Sequence, residues 1–337
     1  MAHRESAAFT PMLAKHADVL PAAPGWLFEP KWDGYRAVVV VDGDGHASVF
    51  SRRGTDLTSA FPEIADAGAR QLPAGTVVDG EIIRWSTGGR LDFEALQRRN
   101  RAGAHGARQL ARTEPCHLVM FDVLQALGTN VQQLQLAQRR QVLEELLPEG
   151  EPGGSLVLGL QTDDVVLARA WAADLGSIGV EGIVAKRADQ AYLPGVRGWL
   201  KVKSYTTTEA IVGGVTGSLA HPESLILGRI RSGDGQLRIA GRSTELDAAE
   251  SAAVAAVIAE AGEGHPWPAH LPPSWHEREA REYIRVVPTV VAEVRVDVAT
   301  AAGGSSDHWR HRLRYLRIRT DLNPGDVPTD LLTSSVG

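Results

Sequence analysis

The sequence predicts an α+β chain in two parts: a mixed domain over residues 1–205, then an OB-type β-barrel over residues 209–330. Three observations carry this. From Gly25 to Tyr205, β-branched or apolar runs bounded by Gly, Asp or Pro alternate with segments whose apolar residues recur at three and four positions. After Tyr205-Thr206-Thr207-Thr208 the pattern changes to three strands, an Ala-rich helix and further strands. A length of 337 residues suffices for two separate cores.

In the first part, strands are expected at Val38–Val41, Val77–Ile83, Leu118–Leu124, Gly182–Lys186 and Leu200–Lys203. Helices are expected at Phe61–Gln71, Phe93–Arg99, Leu136–Leu147 and Val165–Leu175. The Gly- and Pro-rich stretch Glu149–Ser155 reads as a loop within this domain, because a strong motif follows at Glu181. In the second part, strands are expected at Ala210–Thr216, Leu225–Ile230 and Gln236–Ala240, and a helix near Leu246–Ala261. Further strands are expected near Tyr283–Val287, Val290–Val298 and Leu313–Ile318, and His265–Trp275 reads as an ordered surface excursion.

The composition, 43% hydrophobic and 23% charged, is that of a globular protein. A net charge of -6 gives no global basic signal, so nucleic-acid binding must rest on local Arg clusters. The lone Cys116 excludes an internal disulfide and reads as a buried small hydrophobe. The histidines show no zinc spacing; His308 and His311, beside Trp309, belong to a basic segment. Residues 1–9 carry no signal-peptide core, and no apolar run reaches membrane-helix length, so a cytoplasmic protein without a membrane partner is expected.

Chemistry enters with the lysines. Thirty arginines stand against five lysines, and four of those five, Lys31, Lys186, Lys201 and Lys203, fall in short motifs. Arg stays protonated, whereas a Lys amine can lose its proton and become a nucleophile. Lys31 lies in Glu29-Pro30-Lys31-Trp32-Asp33-Gly34-Tyr35-Arg36, a Lys-x-Asp-Gly-x-Arg element; Lys15 has no such context and reads as a surface lysine. Five more elements follow in order: Ser51-Arg52-Arg53-Gly54, Asp79-Gly80-Glu81, Phe121-Asp122-Val123-Leu124, Glu181-Gly182-Ile183-Val184-Ala185-Lys186 and Trp199-Leu200-Lys201-Val202-Lys203. No Gly-x-x-x-x-Gly-Lys-Ser/Thr run exists, so a nucleotide is not held by a P-loop.

This series resembles the ATP-dependent DNA ligases, within the covalent nucleotidyltransferase superfamily that also holds RNA ligases and mRNA-capping enzymes. The resemblance runs from Pro11-Met12-Leu13 to about Pro328 and is greatest to small bacterial two-domain ligases and the ligase part of multifunctional end-joining enzymes. It implies a nucleotidyltransferase (adenylation) domain followed by an OB-fold β-barrel, and a monomer that uses ATP and Mg²⁺ (or Mn²⁺). It further implies sealing of 5′-phosphate/3′-hydroxyl nicks in duplex DNA through a lysyl-AMP intermediate, in DNA repair, with repair-protein partners left open. An RNA ligase or capping-type enzyme is the alternative.

By the same resemblance Lys31 attacks the α-phosphate of ATP as a neutral amine, with Arg36, Lys201, Lys203 and the metal supplying positive charge around it. Glu29 accepts a hydrogen bond from the adenine amino group, Arg36 and Glu81 hold the ribose and its surroundings, and Phe121 stacks on the base. Glu181 takes the metal, Lys186 reaches a phosphate, and Arg52 lies near nucleotide and nick. Asp33 either orients the Lys31 loop or simply forms a turn. In Ala95–Thr113, which has no acidic residue, Arg98, Arg99 and Arg101, with Arg108 and Arg112, either grip DNA phosphates or form a solvated helix face and loop. A second cluster, Arg310, Arg312, Arg314, Arg317 and Arg319, resembles a mobile C-terminal ligase element that includes Asp321. Here Arg319-Thr320-Asp321-Leu322 departs from the family pattern Arg-x-Asp-Lys, so Arg317 or Arg319 must compensate or self-adenylation is slow. A hinge near Ser204–Thr208 would let the barrel rotate between steps.

Overall fold

The computed structural model describes residues 9–147, 154–268, 270–271, 281–297, 308–309 and 311–329. The chain divides into two compact units between Ser204 and Tyr205. Among the described residues, no helix is long and apolar enough to cross a membrane.

The first unit contains β1 (Ala14–His16), β2 (Trp26–Pro30), β3 (Tyr35–Val41), β4 (Ala47–Ser51), β5 (Val77–Ile83), β6 (His117–Ala126), β7 (Thr129–Asn130), β8 (Leu156–Leu158), β9 (Gly182–Arg187) and β10 (Trp199–Lys203). Its helices are α1 (Pro62–Gln71), α2 (Phe93–Arg101), α3 (Gly103–Thr113), α4 (Leu136–Leu146) and α5 (Val165–Asp174). One sheet has the order β4-β3-β5-β6-β7, with β8 parallel to β6; the other has the order β1-β10-β9-β2. Within β3 the run Ala37–Val41 is apolar without alternation because both faces of the strand are covered. Ala37, Val39 and Val41 pack with Phe61 and Ile64 around α1, whereas Val38 and Val40 pack with Met12, Tyr192 and Trp199. Local signals fix the helix starts: Pro62 opens α1, and Asp92 and Asp164 cap α2 and α5 by accepting from the amides of Ala95 and Val166.

The second unit is a five-stranded antiparallel sheet of order β13-β12-β11-β16-β17, built from β11 (Tyr205–Gly217), β12 (Pro222–Ile230), β13 (Leu237–Arg242), β16 (Ile284–Asp297) and β17 (Arg314–Ile318). A short ribbon, β14 (His270–Leu271) with β15 (Arg281–Glu282), and helix α6 (Ala248–Ala255) complete it.

Several expectations change. The two strands expected around Pro288 are one, β16, because a register irregularity jumps the partners of Val212 and Gly214 from Val290 to Arg285 and takes Pro288 out of the ladder. Helix α6 is shorter than expected: Asp247 and Glu250 form a capping box at its start, and beyond it Glu260 bridges to Val286, which requires extended chain. Tyr205–Thr208, expected as part of a hinge, are already paired in β11 with Asp297–Val294. Trp267 is buried against Gly213 and Gly228, so the start of the His265–Trp275 excursion is anchored; residues 269 and 272–275 lie outside the described residues, as do 149–153 of the expected loop. Cys116 is buried, and desolvation pushes its thiol up to about 12.

Candidate active site

Lys31 leaves β2 directly after Pro30, and its backbone is clamped on both sides: its amide donates to the Gly182 carbonyl (2.8 Å), and its carbonyl accepts from the Glu181 amide (2.8 Å). This pairing requires backbones to approach closely. Gly182 sits at φ +139°, and a Cβ there would collide with the Val202 carbonyl, as one on Gly34 would with the Ile82 carbonyl. The two motif glycines therefore let the turn after Lys31 close on β5 and the start of β9 close on β10, while the Lys31 ammonium donates to Glu181 Oε2. Lys203 Nζ lies 3.9 Å from the same oxygen, and Glu181 is buried. Lys201 alternates with Lys203 on β10, and its pKa is lowered by desolvation and by Lys31 and Lys203.

Glu29, on β2, is buried with both oxygens engaged: Gln161 Nε2 donates to Oε1 (2.8 Å), and Lys186 Nζ lies 2.7 Å from Oε2. The Lys186 ammonium also lies over the rings of Phe121 (4.4 Å) and Trp199 (4.1 Å), where the Arg36 guanidinium stands 4.6 and 5.1 Å away. Arg36 is fixed by a two-pronged pair with buried Asp79, Nε to Oδ1 and Nη2 to Oδ2, both 2.5 Å. Asp79 Oδ2 also accepts from the Tyr192 hydroxyl (2.6 Å), which itself accepts from the Met12 amide (2.8 Å). Burial opposes the Arg36 charge, but Asp79 outweighs it and raises that pKa; burial raises the Tyr192 hydroxyl well above its usual range. Desolvation pushes the Glu81 carboxyl up to about 8, against the pull of Arg36 and Lys31.

These side chains line one cleft of about 250 Å³ within the first unit: Glu29, Lys31, Arg36, Arg52, Glu81, Phe121, Lys186 and Lys201 all face it. Glu181 and Lys203 join through their contacts with Lys31 and with each other. A buried carboxylate among ammonium groups, flanked by aromatic faces and a cationic wall, can hold a phosphorylated aromatic ligand and offers an oxygen donor for a hard cation.

Residues 11–203 match the family described as ATP dependent DNA ligase domain. The chain belongs to the ATP-dependent DNA ligases. DNA ligase C1 of Mycolicibacterium smegmatis is 32% identical over 329 residues, spanning 96% of this chain and 93% of its own. DNA ligase C of Mycobacterium tuberculosis is 30% identical over 94% of this chain and 91% of its own. The multifunctional non-homologous end joining protein LigD of Mycobacterium bovis is 32% identical over 94% of this chain, which spans 39% of that relative. A solved structure described as mycobacterial DNA ligase D complexed with ATP and MES superposes with a TM-score of 0.50 at 29% identity, over 95% of this chain and 98% of that one. The ligase thus has the nucleotidyltransferase fold followed by a curled OB-type sheet, and it is an ATP-dependent enzyme acting on DNA.

Other expected residues of the ligase lie elsewhere. Arg99 is a correction: its side chain is 2% exposed, pairs with Glu63 (2.7 Å) and donates to the Glu114 carbonyl, so it staples α2 inward and cannot reach a phosphate. Arg98 and Arg101 are exposed on α2; Arg98 lies 3.5 Å from Glu114. In the second unit, Arg319 pairs with Asp321 and Glu209, and Arg317 with Glu293, while Arg310 lies outside the described residues. Leu322 packs with Ile211, Val291 and Val327. Sequence reasoning missed Gln161, Asp79, Tyr192 and Trp199 as parts of the site. Asp79 and Trp199 stand within quoted motifs and are the detectable ones; Gln161 and Tyr192 meet their partners from 132 and 113 positions away.

Proposed function

We propose that this ligase seals 5′-phosphate/3′-hydroxyl nicks in duplex DNA through a lysyl-AMP formed on Lys31. The observation that carries this is the Lys31 amine, half-buried in a cleft with Arg36, Lys186, Lys201 and Lys203 around it and clamped by its own backbone to the Glu181 strand. The Lys31 ammonium gives up a proton to solvent and its Nζ attacks the α-phosphorus; the N–P bond forms with loss of a second proton, the bond to the β-phosphate oxygen breaks, and pyrophosphate leaves with its electron pair. A 5′-phosphate oxygen of the nick then attacks the adenylate phosphorus and breaks its bond to Lys31 Nζ; the 3′-hydroxyl finally attacks the phosphorus of the 5′-phosphate, loses its proton to solvent and expels AMP.

Arg36, Lys201 and Lys203 supply fixed positive charge toward the transferring phosphoryl group, which costs no reorganisation because Asp79 already orients Arg36. Glu29 offers acceptors to the adenine amino group, Phe121 an aromatic face to the base, and Glu81 and Arg36 polar contacts to the ribose; Arg52 stands at the cleft rim. Lys186, sharing Glu29 with Gln161, serves the same end of the cleft as Glu29. Glu181 is the ligand for Mg²⁺ or Mn²⁺, an ion that neutralises phosphate charge when bound; a buried carboxylate is a fitting donor for it. Exposed Arg98 and Arg101 contact the DNA backbone, and Arg317, Arg319 and Asp321 form the element acting in the first transfer. We assign residues 1–205 to adenylation and 209–330 to the OB-fold, as a monomer. The likeness to LigD supports a role in repairing breaks by end joining.

The test is sealing of a 5′-labelled nicked duplex with ATP and Mg²⁺. Wild type converts the strand to full length, and Lys31→Ala leaves it cut; sealing by Lys31→Ala would refute the assignment.

A further inference from the structure

Glu29 does not set its own direction. Its carboxylate is held by Lys186 on one oxygen and by the Gln161 amide on the other. The two partners differ in kind: Lys186 lines the cleft, whereas Gln161 is not among its lining residues and reaches Glu29 from the strap after β8. The Gln161 backbone is itself immobilised. Phe28 and Thr162 exchange both amide bonds (2.7 and 3.0 Å), which zips the strap after β8 onto the strand that carries Glu29. Thr162 Oγ1 then accepts from the Asp164 amide, and Asp164 caps α5. Gln161 thus lies between two anchored points: Gly159, two residues before it, whose amide donates to the Met120 carbonyl (2.7 Å), and the Thr162 bridge, one residue after it.

We propose that Gln161 is a positioning residue for purine selection, holding the Glu29 carboxylate so that a free lone pair meets the 6-amino group of the base. This rests on the reading of Glu29 as the adenine contact. An ionised carboxylate has about four acceptor sites, and its terminal torsion is broad and nearly two-fold, so rotation alone decides where the unused sites point. Lys186, with three donors, can follow either orientation and fixes none. Gln161 presents its amide from a rigid strap and selects one. Without it, the carboxylate turns both oxygens onto Lys186 and withdraws its lone pairs from the base. The loss falls on the amino-group contact, since the Gln161 side chain acts through Glu29 and does not line the cleft beside Lys31 and Lys201.

The test is self-adenylation of the full chain with ATP and with purine riboside triphosphate, which lacks the 6-amino group. For Gln161→Met, of similar length and without a donor, KM for ATP rises about tenfold, the equivalent of roughly 1.4 kcal/mol, with kcat unchanged. With purine riboside triphosphate the variant matches wild type, so the ATP preference shrinks by the same factor. Gln161→Leu, different in shape but equally lacking a donor, must show the same selectivity loss. An unchanged ATP preference, or equal losses with both nucleotides, overturns the proposal. A wild type that labels with both nucleotides equally well overturns the Glu29 contact beneath it, and one that forms no adenylate overturns the proposed function.

Discussion

Replacing Tyr192 by Phe removes one oxygen atom and tests how the cleft is built. The hydroxyl donates to Asp79 Oδ2 at 2.6 Å and accepts from the Met12 amide at 2.8 Å, and all three residues are buried. Its ring keeps its edge contact with Trp199, 5.9 Å between centroids, so apolar contact is nearly unchanged. Loss of a hydrogen bond to a charged acceptor costs about 1.5–3 kcal/mol, and an orphaned buried amide about 1–3 kcal/mol. Because the two losses share one atom and the site relaxes, about 3 kcal/mol is expected, near a hundredfold change in an opening equilibrium. Native-state hydrogen exchange reads it locally: amides of β5 and β6 lose roughly hundredfold protection, whereas those of β16 in the second unit stay as in wild type. Nick sealing falls as well, since Asp79 holds Arg36 less firmly. A change below about threefold in β5 and β6 would refute the claim that this hydroxyl ties Asp79 to the chain near Met12.

Other perturbations have equally definite outcomes. Between 4.5 and about 8 the Glu81 carboxyl is protonated in the folded protein and ionised in the unfolded chain, so wild-type stability falls as pH rises across that window. Glu81→Gln, which does not titrate, should show a flatter profile in thermal unfolding, and parallel profiles would contradict the burial argument. Arg139→Met leaves Asp122 buried without the guanidinium that donates to both its oxygens at 2.7 and 3.0 Å, costing about 3–5 kcal/mol in urea unfolding; adding Asp122→Asn recovers part of it. Arg317→Ala slows pyrophosphate release while leaving melting unchanged, because its side chain is 64% exposed; Arg319→Ala, which removes the ion pairs to Glu209 and Asp321, lowers both the release rate and the melting temperature.

Much of this was legible in the sequence where information is local. Lys31, Glu81, Phe121 and Lys201 sit in short motifs, and strand β5 was delimited to the residue because the β-branched pairs Val77-Val78 and Ile82-Ile83 flank the Asp79-Gly80-Glu81 motif. Strand β2, which carries Glu29, was missed: Trp26–Pro30 is too short and mixed to show alternation, and its pairing partner β9 is more than 150 residues away. Arg99 illustrates the opposite error. An arginine amid arginines reads as surface, and only the arrival of Glu63 from α1 makes it a buried staple. Leu322 likewise stood out as a gap in a cationic pattern, while the fold uses it to cover Ile211 and Val291. Composition records which side chains are present; the partners that reorient Glu29, Arg36 and Arg99 come from distant chain segments and are set by topology.

Peptide mapping by mass spectrometry after incubation with ATP and Mg²⁺ bears most directly on the covalent step. One adenylate per chain is expected, carried on Lys31, lost on treatment with pyrophosphate and absent when Lys31 is replaced by Ala. Adenylate found on Lys186, Lys201 or Lys203 instead, or sealing with no adenylated peptide formed at any time, would contradict it.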